Sequence, residues 1–102
     1  MKHRFISEAY IDLLNLADLY EARLAGLGDR LTNEAEGHAV RMANQPRLYG
    51  RVPRAPRGRE IRQTLLPSFL VVMTYEVLAT EVVILSVTHA RSVRRPWRRR
   101  LP

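Results

Sequence analysis

His89 and Arg91 stand two residues apart at the close of an apolar run, Val82 to Thr88, with Arg94 and Arg95 just beyond. In an extended strand, residues i and i+2 point to the same face. That spacing would set an imidazole, which titrates near neutral pH, beside a permanent cation. Such a pair could donate a proton or contact a phosphate edge. The plainer alternative is a strand-end histidine that covers the core. Upstream, the loop RLYGRVPRAPRGR and the residues after it supply Arg57, Arg59 and Arg62. Their planar guanidinium groups suit bidentate contact with phosphate. Equally, charge on a strand edge discourages edge-to-edge association, and Glu60 could pair with Arg62 at the surface to little energetic effect.

The end of the chain is the third basic group. Arg94, Arg95, Arg98, Arg99 and Arg100 surround Pro96-Trp97. Arginine interleaved with an aromatic suits single-stranded nucleic acid or an anchor on a protein partner. A lone tryptophan tends to pack, which argues against a loose basic end. High-specificity enzyme motifs are absent: there is no glycine-rich phosphate loop, no nucleophile elbow and no pair of histidines at metal spacing. His3, His38 and His89 fall on three different elements, with His38 expected at the surface or half-buried. There is no cysteine, so no disulfide framework and no thiolate metal site, which fits a reducing cytosol. Neither metal nor cofactor is expected.

These arginines are segregated. Residues 1–46 carry five basic and seven acidic side chains, a net of −2; residues 47–102 carry twelve arginines against Glu60, Glu76 and Glu81, a net of +9. A field so polarised points to an anionic partner on one side, nucleic acid or an acidic protein segment. An arginine-biased genome would explain arginine in place of lysine, but explains the segregation less well. At 102 residues and 46% hydrophobic, the chain reads as one domain with one core, with a basic tail over 92–102. The N-terminus MKHRFIS lacks the apolar segment of a signal peptide. The longest apolar stretch, Leu65 to Tyr75, is broken by Pro67-Ser68 and falls short of the ~20 residues a membrane helix needs. A soluble, cytoplasmic protein with no membrane partner is expected.

The elements that must position the arginines follow from periodicity. His3 to Ile6 reads as a short first strand. Ser7 is placed to cap a helix from Glu8 to about Leu24, with Tyr10, Leu13, Leu14, Ala17, Tyr20 or Glu21, and Leu24 on its apolar stripe. Asp12, Asn15 and Asp18 mark the wet face, while Leu16 and Leu19 widen the stripe beyond what one core needs. Gly26-Leu27-Gly28 ends this helix, and Asp29 is a plausible cap for a second. The second runs to about Asn44 on Leu31, Ala35, Ala39 and Met42, weakened by Gly37 and closed by Pro46; it depends on packing as an αα-hairpin. Arg47 to Arg59 is a loop. Three strands follow, Arg59–Leu66, Phe69–Val77 and Val82–His89, the middle one apolar on both faces apart from Thr74 and Glu76. Short connections imply consecutive antiparallel pairing. The expected fold is α+β: a small antiparallel sheet, made of the short N-terminal strand and three C-terminal strands, packed against an N-terminal helical hairpin.

Four stretches in this order, FISEAYIDLLNLADLYEARLAGLGDRL, NQPRLYGRV, REIRQTLLPSFLVVMTYEV and VVILSVTHARSVRRPWRRRL, resemble the RelE/ParE superfamily of type II toxin–antitoxin toxins. The resemblance covers nearly the whole chain; each motif is weak alone, and their order is specific. It implies a toxin neutralised by a small, acidic cognate antitoxin with a DNA-binding N-terminus. The antitoxin would lie over the helices and sheet edge, where Leu16, Leu19 and Tyr20 are the expected contacts. RelE-like members cut messenger RNA on the ribosome; by position His89, Arg59, Arg62, Arg91 and Arg57 could stand in for their catalytic set, although lysine and a C-terminal tyrosine are missing. ParE-like members poison DNA gyrase by binding, and the ending THARSVRRPWRRRL is closer to their tail. The ParE-like branch is therefore expected, with target contacts drawn from Arg57, Arg59, Arg62, His89, Arg91, Arg94, Arg95 and Trp97. The alternatives are a RelE-like endoribonuclease, or a degenerate member that only binds antitoxin or operator DNA.

Overall fold

The computed structural model describes residues 1–102. The element order is β1 (Lys2–Phe5), α1 (Ser7–Arg23), α2 (Leu27–Asn44), β2 (Ile61–Leu66), β3 (Val71–Val77), β4 (Glu81–His89) and a short α3 (Trp97–Arg100). The four strands form one sheet in the order β1-β4-β3-β2. β2, β3 and β4 pair antiparallel in sequence, as their short connections require. The departure from an all-antiparallel sheet is β1, which joins β4 in parallel, Lys2 opposite Glu81 and Phe5 opposite Ile84. The reason is connectivity: between β1 and β4 the chain passes through the whole helical hairpin, long enough for a crossover.

The hairpin covers one face of the sheet. Ala9, Leu13 and Ala17 of α1 and Leu31, Ala35, Ala39 and Met42 of α2 are buried against Leu66, Val71, Met73, Tyr75, Val82, Ile84 and Val87. The expected stripe of α2 is fully buried. That of α1 is rotated, with Ala9, Leu13 and Ala17 at its centre, Tyr10, Leu14 and Leu24 exposed and Leu16 and Tyr20 half-buried. Small residues on both helices allow close approach. Gly28 sits where an added Cβ would meet the Ala17 carbonyl oxygen at 2.9 Å, so the second helix can start hard against the first only with glycine there.

Two helix caps differ from expectation. Ser7 is the first residue of α1 rather than its cap, and Ile6 precedes it without a side-chain bond. Asp29 lies inside the first turn of α2, whose N-terminus is held instead by Glu21 of α1. The Glu21 carboxylate accepts the Gly26 amide at 2.9 Å and the Gly28 amide at 2.9 Å. Those two bonds lower its pKa, since a carboxylate facing the positive end of a helix is favoured in its charged form.

The outer face of the sheet is mixed, with Thr74 and Glu76 of β3 beside the apolar Val83 and Leu85 of β4, and it is covered too. Val52, Ile61, Val83, Leu85 and Trp97 form a second cluster there. The register between β3 and β4 shifts between Thr74 and Tyr75, where Leu85 is the extra residue. This bulge turns Leu85 to the outer cluster and lets both Ile84 and Val87 face the helices.

Candidate basic site on the outer sheet face

The tail crosses the outer face and is held by two anchors. Trp97 is 2% exposed within the second cluster. Arg100 donates to Asp12 through both terminal nitrogens, at 2.7 and 3.1 Å, and to the Leu85 carbonyl at 2.9 Å. Asp12 also accepts the Val87 amide at 3.1 Å. Past the end of β1, the β4 edge would otherwise show these backbone groups to water, and the Asp12–Arg100 pair covers them. Asp12 is thus a structural contact rather than part of a wet helix face. The Arg100 pKa is raised, first by its hydrogen bond to Asp12.

The arginines expected to act together are divided by the fold. Arg59 forms a two-point pair with Glu76, both bonds 2.8 Å, and donates to the Pro102 carbonyl. Glu76 is 5% exposed, so Arg59 neutralises a buried carboxylate, which raises its own pKa. Arg62 donates to Glu60 at 2.8 Å and to the Tyr49 carbonyl at 2.7 Å. It belongs to a partly buried network with Arg47, which meets Glu60 at 2.9 Å. Burial raises the Glu60 pKa, but Arg62 and Arg47 together outweigh it and the net shift is downward. Arg57 is exposed in the loop and makes no side-chain bond.

β4 ends at His89, and Ala90 and Arg91 turn away. The same-face argument therefore stops before Arg91. Instead the Arg91 amide donates to His89 Nδ1 at 3.1 Å, which leaves the proton of a neutral ring on Nε2. His89 borders a small cleft of about 90 Å³ with Gln63, Thr74, Thr88, Arg94 and Arg95. A larger cleft of about 470 Å³ shares Gln63 and Arg95 with it and is completed by Val52, Pro53, Arg54 and Arg98. Arg98 belongs to the arginine group around Trp97, whereas nothing in the sequence marks Arg54, one of five arginines in its loop. Trp97 lies beneath this surface as a core residue, with the Arg98 guanidinium 4.7 Å from its ring centre.

His38 lies at 8% exposure, more buried than its helical position implies, because the Pro46–Gly50 turn brings Tyr49 across it with ring centres 6.1 Å apart. Burial, then Arg41, lowers its pKa. Tyr75 donates to the Pro46 carbonyl at 2.7 Å, and its burial pushes its pKa up to about 12. Of the helix residues expected to meet a partner, Leu19 is 62% exposed. Leu16 and Tyr20 pack against the main core, Tyr20 edge-on to Phe69 at 4.9 Å. No three metal-ligating side chains converge, and no helix is long and apolar enough to cross a membrane.

This arrangement of helical hairpin and four-stranded sheet matches a solved chain described as the chromosomal ParDE TA system from P. aeruginosa. The superposition covers 87% of this chain and 95% of that one, with a TM-score of 0.63 at 16% identity. The fold is ParE/RelE-like. At that identity the likeness is one of fold. No family model and no curated protein sequence matches the chain.

Proposed function

We propose that this chain is the toxin of a type II toxin–antitoxin module, of the ParE-like branch. It acts in the cytoplasm by binding DNA gyrase and is neutralised by a small, acidic cognate antitoxin. The observation that carries this reading is the fold shared over 87% of the chain with a ParDE system component. Binding without catalysis is favoured by the way the internal carboxylates consume the arginines an RNase would need. Arg59 is spent on Glu76 and Arg62 on Glu60, so neither offers an uncompensated charge to a scissile phosphate. The test is to add purified protein to gyrase and relaxed plasmid. Blocked supercoiling or a trapped cleavage complex is expected, and unaltered supercoiling would sink the gyrase target.

One observation favours a second reading as a ribosome-dependent endoribonuclease. His89 borders the small cleft beside Arg94 and Arg95, where Nε2 could serve as a proton donor. Under that reading, His89→Ala abolishes toxicity and arrested cells contain cleaved messenger RNA. Under the gyrase reading arrested cells keep their messenger RNA intact, whatever the variant does to target affinity.

A further inference from the structure

Eight of the twelve arginines in residues 47–102 enter no ion pair, because Glu60, Glu76 and Glu81 are taken by Arg47 and Arg62, Arg59, and Arg4, while Asp12 takes Arg100. Three of the eight, Arg54, Arg95 and Arg98, line the 470 Å³ cleft together with Gln63, and no acidic residue lines it. The cleft is built rather than incidental. Arg98 donates to the Arg54 carbonyl at 2.8 Å, and Arg54 sits at φ +60°, in the left-handed region that non-glycine residues rarely occupy. A strained backbone held by its neighbour across a cleft is a sign of a position under functional constraint. Beneath it, Trp97 and the Asp12–Arg100 pair fix the tail that presents Arg95 and Arg98.

We propose that this cleft binds the phosphodiester backbone of double-stranded nucleic acid without reading its sequence. Three uncompensated guanidinium groups and an amide are the donors such a backbone accepts. The lining excludes the neighbouring alternatives. It contains no aromatic side chain, and the nearby Trp97 is buried, so no platform exists on which single-stranded bases could stack. Its hydrophobic lining is Val52 alone, too little for the apolar anchors by which an acidic peptide would be held. The inference rests on the toxin reading only for its biological setting; the binding follows from the cleft.

The test is fluorescence anisotropy of the full chain with labelled 20-base-pair DNA duplexes of two unrelated sequences, a matching RNA duplex, and the single strands, from 50 to 200 mM salt. With three phosphates neutralised, the slope of log K against log salt is about −2.7, roughly a 40-fold loss of affinity across that range. The two DNA sequences should bind alike. Arg54→Gln and Arg95→Gln remove guanidinium groups that make no internal bond, so folding is kept, and each should reduce the slope by about 1. A duplex preference in DNA supports the proposal, and in RNA supports it with RNA as the source. Tighter binding of single strands, an unchanged slope in both variants, no duplex binding at 50 mM salt, or binding of a labelled polyglutamate peptide in place of the duplex would each overturn it. Duplex binding by a protein that leaves gyrase supercoiling untouched would sink the gyrase target and leave the cleft standing.

Discussion

Arg59 illustrates how a residue's chemistry and its role can part. By type and position it looks ready to hold a phosphate; in the fold it neutralises Glu76, whose side chain is 7% exposed. Removing it strands a buried carboxylate. Breaking a buried pair from one side costs about 3–5 kcal/mol, and since Arg59 is itself 24% exposed, water can relieve part of this, which sets the expectation for Arg59→Ala at about 3 kcal/mol. Chemical denaturation measures it directly. Arg57→Ala, in the exposed loop, should stay within about 0.5 kcal/mol of the parent. The double variant Arg59→Met with Glu76→Leu removes both charges and should regain most of the stability. Under the proposed toxin function, a double variant that is stable yet non-toxic would mean that Arg59 contacts the target as well, and a toxic one that its role is internal. The sequence could not separate these cases, because Glu76 lies seventeen residues away and meets Arg59 only through the pairing of β2 with β3.

At the scale of elements, the helices and strands were legible because their apolar periods are distinct, and the four buried positions of α2 fall where a 3.6-residue period puts them. Two things were not. The Glu21 cap of α2 is an i→i+5 and i→i+7 contact across a helix–helix turn, outside any local capping pattern. By composition alone the tail reads as a recognition segment, because it is mostly arginine. Its packing role was nonetheless signalled: β4 is apolar on both faces, the hairpin can cover one, and Trp97 with Leu101 is the apolar pair in the tail. Both pack in the outer cluster. Trp97→Ala should therefore cost about 3–5 kcal/mol, as for other large buried aromatics. Trp97→Phe should cost distinctly less, because the indole Nε1 has no partner to lose. The same residue is the chain's one tryptophan, so its emission should be blue-shifted in the folded parent and move red as the outer cluster opens. An emission maximum already that of free tryptophan would contradict the packed tail.

Across the whole molecule, the sheet separates two surfaces of opposite character. The helical side belongs to the half of the chain with net charge −2 and leaves Tyr10, Ile11, Leu14 and Leu19 exposed on α1. The outer side carries the unpaired arginines of the loop and tail. Four exposed apolar side chains on one helix suit an amphipathic protein segment, whereas the cleft around Arg95 suits a polyanion. If the proposed toxin function holds and an antitoxin grips the helical side, the two surfaces can be disabled separately, since mutations far apart with no shared partners act additively. Leu19→Asp places a charge where no core contact is lost, so stability should hold while antitoxin affinity falls at least ~10-fold, an apolar anchor being worth more than about 1.4 kcal/mol at an interface. Isothermal titration with the antitoxin checks the affinity, and co-expression checks its consequence: cells carrying Leu19→Asp should arrest even with antitoxin present. Arg54→Gln with Arg95→Gln should leave that titration unchanged. If instead the arginine variant weakens antitoxin binding while Leu19→Asp does not, the antitoxin lies across the basic face. Neutralisation would then work by direct occlusion of the cleft rather than by capture from the opposite side of the sheet.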